Sequence, residues 1–331
     1  MDLVEAIILT TISASIPLIL AASGELVVER AGVLNLGIEG MMIVGAACGF
    51  GGAYLSGSII VGALFGIAGG MALSAVFALL AFGFAVNQVA TGLALTILGA
   101  GVSGLIGADF VGIKISPTPN LYIPFLTNIP LVGSILFGQN AFTYFSVLLV
   151  VGIWWFLYRT HGGLVLRAIG DNHTSAYALG YSVLKIRWLA LLFGGGCAGL
   201  GGAYLPLAYT PFFVPEMTAG RGWIALALVV FASWRPGRLV IGAFLFGAVT
   251  ILQLRAATTE SALAKQRLAL VSYIGSVLKN THATQLSLGP FHGDRTAALG
   301  GFLSAAISAN KLINKHCIQN ARSDGEQLLG A

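Results

Sequence analysis

Long hydrophobic runs alternate with short polar stretches over the first 255 residues of the chain. A helix needs about 20 mostly apolar residues to cross the hydrocarbon core of a bilayer. Six runs reach or approach that length and two shorter ones follow, at positions 6–22, 38–55, 59–86, 89–108, 141–158, 188–209, 222–234 and 239–254. The pattern predicts an all-α fold, a polytopic membrane helix bundle of about eight transmembrane segments. The two short runs fit either full helices in a thin region or half-helices, a form that transporters use at their sites.

The composition supports a membrane protein and excludes an ordinary soluble enzyme. Hydrophobic residues make up 57% of the 331 positions and charged residues 9%, with a mean hydropathy of +0.90. Soluble domains carry about 25% charged residues. The net charge of +5 does not indicate a nucleic-acid partner. The basic residues belong to loops, where they indicate which side of the membrane each loop faces.

The basic residues also predict which side of the membrane each loop faces. The loop 159–187 carries four of them against one aspartate, and the loop 233–238 adds two more. Because Lys and Arg concentrate in short cytoplasmic loops, both loops should be cytoplasmic. Counting back places the N-terminus outside, and eight spans with both ends outside fit.

The charge density divides the chain into two parts. Residues 1–255 hold 8 acidic and 10 basic residues, whereas the 76 residues of 256–331 hold 4 acidic and 7 basic ones. The longest apolar run of this second part, 268–278, would form a helix of only about 16 Å, which is too short to span. We expect a transmembrane domain at 1–255 and a polar, poorly ordered C-terminal tail at 256–331.

Motifs of covalent chemistry are missing from the sequence. It contains no GxxxxGK[ST] phosphate loop, no HExxH, no GxSxG and no paired cysteine motif. The five histidines lie in loops or in the tail, where solvated side chains are expected rather than metal ligands. The sequence therefore predicts a protein that is not an enzyme and has neither a metal site nor a cofactor.

Glycines recur every four residues in three of the apolar runs, at 62, 66 and 70, at 45 and 49, and at 195 and 199. Such spacing lets membrane helices approach closely, and we interpret it as helix packing.

A polar cluster, residues 24–42, separates the first two runs and contains Glu25, Glu29, Arg30, Asn35 and Glu39. One interpretation is a solvated turn, with Glu39 favoured by the dipole of the following helix. The other is a broken helix that lines a cavity, where irregular backbone is tolerated at membrane depth. The residues alone leave both open. Asn87 and Gln88 begin a later run, and polar side chains there should face the bundle interior.

The loop 159–187 is longer than helix packing requires. Within it, Asn172 can cap a short helix over residues 172–179, and Gly180 can end that helix.

Four motifs in this order resemble those of the permease subunits of bacterial ATP-binding-cassette (ABC) importers for nucleosides and simple sugars. They are ERAGVLNLGIEGMMIVGA (29–46), NQVATGLALTILGAGVSGLIG (87–107), LRAIGDNHTSAYALGYSVLKIRWLALLFGGGCAGLGGAYL (166–205) and FVPEMTAGRGWIALALVVFASWRPGR (213–238). The superfamily includes ribose-type and branched-chain amino-acid permeases. The resemblance covers roughly residues 1–255. Family members usually continue with another apolar stretch, so a frameshifted or diverged C-terminus would explain the tail.

The resemblance implies a membrane-spanning permease of an importer in the bacterial inner membrane, with the GVLNLGIEG form favouring nucleosides over sugars. Its partners would be an ATP-hydrolysing cassette subunit, a second permease, an extracytoplasmic substrate-binding protein and the lipid bilayer. The candidate substrate pathway comprises Asn35, Glu39, Asn87 and Gln88. The candidate coupling residues, which would contact the ATPase, are Arg167, Gly170, Asn172, Ala176 and Gly180. The alternative, a stand-alone secondary transporter or channel, would require an intramembrane ion-coupling carboxylate and inverted repeats.

Overall fold

The computed structural model describes residues 3–121 and 137–258. Its helices are α1 (Leu3–Arg30), α2 (Ile38–Ser56), α3 (Ile59–Ala78), α4 (Gln88–Gly107), α5 (Ala141–Arg159), α6 (His161–Asp171), α7 (His173–Ala178), α8 (Val183–Tyr204), α9 (Arg221–Phe231) and α10 (Pro236–Thr258). Wider π-helical turns extend α3 over Leu79–Gly83 and α8 over Leu205–Tyr209. Within the described ranges the β contacts are three isolated bridges, so the predicted all-α class is confirmed.

Seven of these helices are long and apolar enough to cross a membrane, which agrees with the prediction of about eight segments. The difference lies in the run 222–234. It forms α9, a helix of 11 residues, which is too short to cross the hydrocarbon core by itself. The other short run belongs to α10, which has 23 residues because it begins at Pro236 and continues past the apolar run.

The chain divides into two compact units, Met1–Ala248 and Val249–Ala331. Of the second unit the structure describes 249–258, the C-terminal part of α10. The predicted polar tail, 256–331, therefore lies outside the described residues except for its first three positions, and the domain boundary at 255 stays a prediction.

Glycines bring α2, α3 and α8 into backbone contact in the middle of the first unit. A Cβ atom added at Gly199 of α8 would overlap the carbonyl oxygen of Gly66 in α3 and lie 3.0 Å from Cα of Gly70. A Cβ atom at Gly45 of α2 would overlap the backbone of Gly199. The predicted role of the glycine spacing in close packing is thus confirmed, because each of these positions excludes any side chain.

A buried aromatic group lies at one end of the bundle and holds the segment that precedes α9. Phe213 of this segment packs on Ala47 and Phe50 of α2, with a ring-centroid distance of 6.1 Å to Phe50. Phe110, which follows α4, packs against the same ring of Phe50 at 5.8 Å. These contacts fix the path of the chain from α8 to the start of α9.

Candidate functional site

The polar cluster 24–42 consists of the last turns of α1, a non-helical break at residues 31–37 and the first turn of α2. α1 ends at a glycine in the left-handed region, Gly32, with φ +76°. The amide of Gly32 donates to the carbonyl of Glu29 (3.0 Å), and that of Val33 donates to Val28 (3.3 Å), the bond pair of a Schellman ending. The side chains of Glu25, Asn35 and Glu39 are buried, so the solvated-turn interpretation is wrong. The break between the helices is observed, and its lining of a cavity stays a prediction.

Asn35 holds the break against α1. Its Nδ2 atom donates to Oε2 of Glu25 at 3.0 Å, and its Oδ1 atom accepts from the amide of Gly37 at 3.1 Å. Side chains of α4 bind two further backbone groups of the break. Gln88 accepts from the amide of Leu34 at 3.0 Å, and the hydroxyl of Thr96 donates to the carbonyl of Leu36 at 3.2 Å. Leu36 is buried, so its carbonyl would be costly to leave without a partner, whereas Leu34 is exposed.

Glu39 joins the start of α2 to the start of α9. Oε1 accepts from the hydroxyl of Thr218 (2.5 Å) and the amide of Gly220 (2.9 Å), while Oε2 accepts from the amide of Gly222 (2.6 Å). The carboxyl group therefore receives backbone amides at a helix N-terminus, where the helix dipole favours a negative charge. Gly222 lacks a side chain here because its Cβ atom would lie 2.6 Å from Cα of Glu39.

α9 has the geometry of a half-helix. Its first residues contact Glu39, and Trp234, just beyond its end, contacts Glu29 and Arg30 at the end of α1. Eleven residues of helix span about 16 Å, roughly half of the hydrocarbon core. This length favours the half-helix interpretation of the run 222–234, and the N-terminus of α9 lies beside the break between α1 and α2.

The four candidate pathway residues do not lie together. Asn35 and Gln88 bind groups at the break, whereas Glu39 binds the start of α9, which lies beside it. Asn87 instead lies at the exposed surface and caps α4, accepting from the amides of Val89 (2.9 Å) and Ala90 (3.3 Å). Its side chain does not face the bundle interior as expected, because capping the helix places it outside the first turn.

The loop 159–187 contains the predicted short helix, α7. Asn172 caps it by accepting from the amide of Ser175 at 3.0 Å. Gly180 follows its end with φ +86°, a conformation that glycine adopts without strain. A second helix of this loop, α6, was not predicted from the sequence. Its buried face, formed by Val165, Leu166 and Ile169, is the helical spacing that would have revealed it.

The residues of α7 and its end differ in exposure. Ala176 is buried against Val165 and Ile169 of α6. Tyr177, the next residue, and Leu179, directly after the last helical residue, are 75% and 77% exposed. Sequence reasoning missed these two apolar side chains, because a six-residue helix is too short for its pattern to show which face is covered.

The remaining coupling candidates lie on α6. Arg167 is half-buried, and its guanidinium lies 5.2 Å from the centre of the Tyr158 ring. Gly170 is in backbone contact with α1, because a Cβ atom at this position would overlap the carbonyl oxygen of Arg30. Gly170 is thus a contact residue inside a helix and not merely a loop boundary.

The candidate metal ligands are dispersed. Over residues 3–121 and 137–258, no group of three or more His, Cys, Asp and Glu side chains is close enough to hold a metal ion. His161 and His173 are exposed, in line with the expectation of solvated side chains.

Known proteins resemble this chain over most of its length. TsgC13 of Haloferax volcanii, a permease protein of an ABC transporter named for glucose, is 45% identical over 80% of this chain and 81% of its own length. The guanosine ABC transporter permease protein NupQ of Bacillus subtilis is 32% identical over 75% of this chain and 82% of its own. The nucleoside ABC transporter permease protein NupC of Lactococcus lactis is 29% identical, with coverages of 72% and 78%.

The family model for the permease component of branched-chain amino acid transport systems matches residues 7–273. This match extends past position 255, where the motif resemblance ends. All three relatives are ABC transporter permeases, and nothing favours the alternative of a stand-alone transporter. The chain therefore belongs to the family of permease components of branched-chain amino acid transport systems, as a multi-pass, membrane-spanning permease subunit of an ABC transporter.

Proposed function

We propose that this permease imports a compound with a sugar ring, either a simple sugar or a nucleoside, across the cytoplasmic membrane. The support is the identity to relatives that are named for glucose, guanosine and nucleosides. Glucose and guanosine share a ring with several hydroxyl groups, which hydrogen-bonding side chains recognise. The chain itself catalyses no covalent step in this proposal, and its role is to form half of the pathway beside a second permease.

The observation that carries the coupling part of the proposal is the orientation of α7. Ala176 fixes it to α6, whereas Tyr177 and the following Leu179 are exposed. Two large apolar side chains at the end of a capped helix, in a loop predicted to be cytoplasmic, suit a cleft in an ATP-hydrolysing subunit. Such a contact transmits movement because the helix cannot rotate without disturbing its packing on α6. An extracytoplasmic binding protein would deliver the substrate from the other side.

The pathway is proposed to pass the break between α1 and α2. Irregular backbone occurs at membrane depth where it lines a cavity or is covered by protein, and half-helices meet at the substrate sites of other transporters. Gln88 is half-buried, and in this arrangement its side chain forms part of the pathway wall. Asn35 and Glu39 are buried behind this wall and fix the backbone of the break and of the start of α9 by hydrogen bonds. Asn87 caps α4, the helix that carries Gln88.

Replacing Leu179 by aspartate should release the ATPase, because a charge at the centre of an apolar contact would have to be desolvated. We expect the amount of ATPase that copurifies with the permease to fall at least tenfold. The same substitution at Leu164, an exposed leucine of α6, is the matched control, and Lys185→Ala should have little effect. Full copurification with Leu179→Asp would mean that α7 does not bind the ATPase.

The short helix also needs its own packing and its glycine. Ala176→Trp should push α7 away from α6 and uncouple ATP hydrolysis from uptake, as should Gly180→Val, since valine cannot adopt φ +86° without strain. Gly180→Asn, which tolerates that conformation, is the control and should stay coupled.

The substrate proposal is tested by uptake of radiolabelled glucose and guanosine into proteoliposomes that contain the whole transporter. Import of neither compound would overturn it. Gln88→Leu, which removes the acceptor of the Leu34 amide, should lower uptake about fivefold, because a hydrogen bond of this kind contributes about 0.5–1.5 kcal/mol. Gln88→Glu retains the acceptor, and Asn87→Ser retains the cap, so both should transport. Equal uptake by Gln88→Leu would show that this position is not part of the pathway.

A further inference from the structure

Both loops that are predicted to be cytoplasmic contact the end of α1. We call residues 29–33 the α1 end turn. It contains the Schellman ending described above, so its backbone geometry is held by its own hydrogen bonds. A turn that is fixed in this way can move with its neighbours as a unit.

The first contact comes from the loop 159–187. Gly170 of α6 is in direct contact with the α1 end turn. A Cβ atom added at Gly32 would lie 3.1 Å from the Cα atom of Gly170. Arg187 at the start of α8 donates from Nε to the carbonyl of Ala31 at 3.2 Å. The segment that contains α7 is therefore attached to the α1 end turn both before and after α7.

The second contact comes from Trp234, between α9 and α10. Its indole Nε1 atom donates to Oε2 of Glu29 at 2.5 Å, and its carbonyl accepts from Nη2 of Arg30 at 3.2 Å. Ser233 and Trp234 have φ values of +52° and +54°, which residues other than glycine rarely adopt. Such a conformation persists only where surrounding contacts determine it, and the bonds to Glu29 and Arg30 are contacts of this kind.

These contacts hold α9 at both ends. Near its C-terminal end, Trp234 binds the α1 end turn, and at its N-terminal end Glu39 receives the amides of Gly220 and Gly222. A displacement of the α1 end turn would therefore displace α9 as a rigid element, together with its contact beside the break.

We propose that Trp234 is a positioning residue for transport, whose indole passes movement of α6 and α7 to α9 through its bond to Glu29. The proposal rests on the proposed coupling role of α7. It adds a second element, α9, that moves together with α7. α9 also packs directly on α1 and α2, and the proposal assigns to the Trp234 side chain the attachment at its C-terminal end.

The experiment uses the assembled transporter in proteoliposomes and measures the uptake of glucose or guanosine per ATP hydrolysed. Trp234→Phe keeps an aromatic ring and removes the N–H donor. We expect ATP hydrolysis to stay within twofold, while uptake per ATP falls about tenfold, because hydrogen bonds to charged groups are the stronger ones. Trp155→Phe, at an exposed tryptophan of α5, is the matched control and should leave the ratio unchanged.

A double-substitution cycle tests whether Glu29 is the partner that matters. Glu29→Ala should lower the ratio as Trp234→Phe does, and the double variant should be no worse than either, because one interaction is lost once. Glu29→Gln retains an acceptor for the indole and should restore most of the ratio. Additive losses, or a normal ratio in Trp234→Phe, would overturn the proposal.

Failure by misfolding and failure of the coupling role are recognised separately. If Trp234→Phe reduces the amount of assembled complex but not uptake per ATP, its role is structural and the proposal is wrong. If Leu179→Asp keeps both its ATPase and full uptake, the coupling role of α7 is what fails. If Leu179→Asp abolishes uptake and Trp234→Phe has no effect, only the role of Trp234 is refuted.

Discussion

Replacing Gly199 by leucine is expected to prevent the chain from folding into its helix bundle. Even a Cβ atom at this position would overlap the carbonyl oxygen of Gly66, and the neighbouring Gly70 lies 3.0 Å away. These atoms belong to the backbone of α3, so the helices would have to separate along their whole contact. The cost should exceed about 3 kcal/mol, the upper end of ordinary overpacking, because no side chain can move aside.

The measurement is the yield of monodisperse protein in detergent and its thermal midpoint. Gly152→Leu in α5 is the matched control, since a Cβ atom there meets nothing within 4 Å. In the control the better helix propensity of leucine should leave stability unchanged or raise it by up to about 1 kcal/mol. A Gly199→Leu protein with the yield and thermal midpoint of the control would contradict the packing described for α2, α3 and α8.

Replacing Glu39 by leucine should release the start of α9 and abolish uptake. Three donors, the hydroxyl of Thr218 and the amides of Gly220 and Gly222, lose their acceptor in a buried place. Each buried donor left without a partner costs about 1–3 kcal/mol. We expect a destabilisation of about 3–5 kcal/mol, as for one partner removed from a buried charged contact.

Graded variants separate the loss of these bonds from the loss of a charge. Thr218→Val removes one donor and keeps the other two bonds, so its destabilisation should be about 1–3 kcal/mol. Glu216→Gln removes the charge of an exposed carboxyl group and should have no effect on the thermal midpoint. If Glu39→Leu behaves like Glu216→Gln, the carboxyl group does not hold α9.

The positions of most helices, and the residues that cap or end α7, could be predicted from the sequence. The long apolar runs became membrane-length helices, and the glycines at four-residue spacing became helix contacts. The cap of α7 by Asn172 and its end near Gly180 were also predicted correctly. Each of these features depends on residues within one or two turns, and local preferences are visible in a sequence.

Predictions that depended on the surroundings of a side chain were less complete. The cluster 24–42 was equally consistent with a solvated turn, because its residue types are those of a turn. The charge of Glu39 could be placed at a helix N-terminus, but the helix that it binds is α9, about 180 residues later. Asn87 was expected inside the bundle, whereas capping α4 holds it at the surface.

The sequence by itself determined that this is a helical membrane protein, because hydropathy and segment length reflect the free energy of transfer into a bilayer. Its resemblance to known motifs, and not its hydropathy, indicated a permease. Only the tertiary structure decided that α9 is a short helix held by Glu39 and Trp234, and that both predicted cytoplasmic loops contact the end of α1. The reason is that a hydrogen bond between distant segments depends on how the helices pack. The sequence does not show which distant donor pairs with which acceptor.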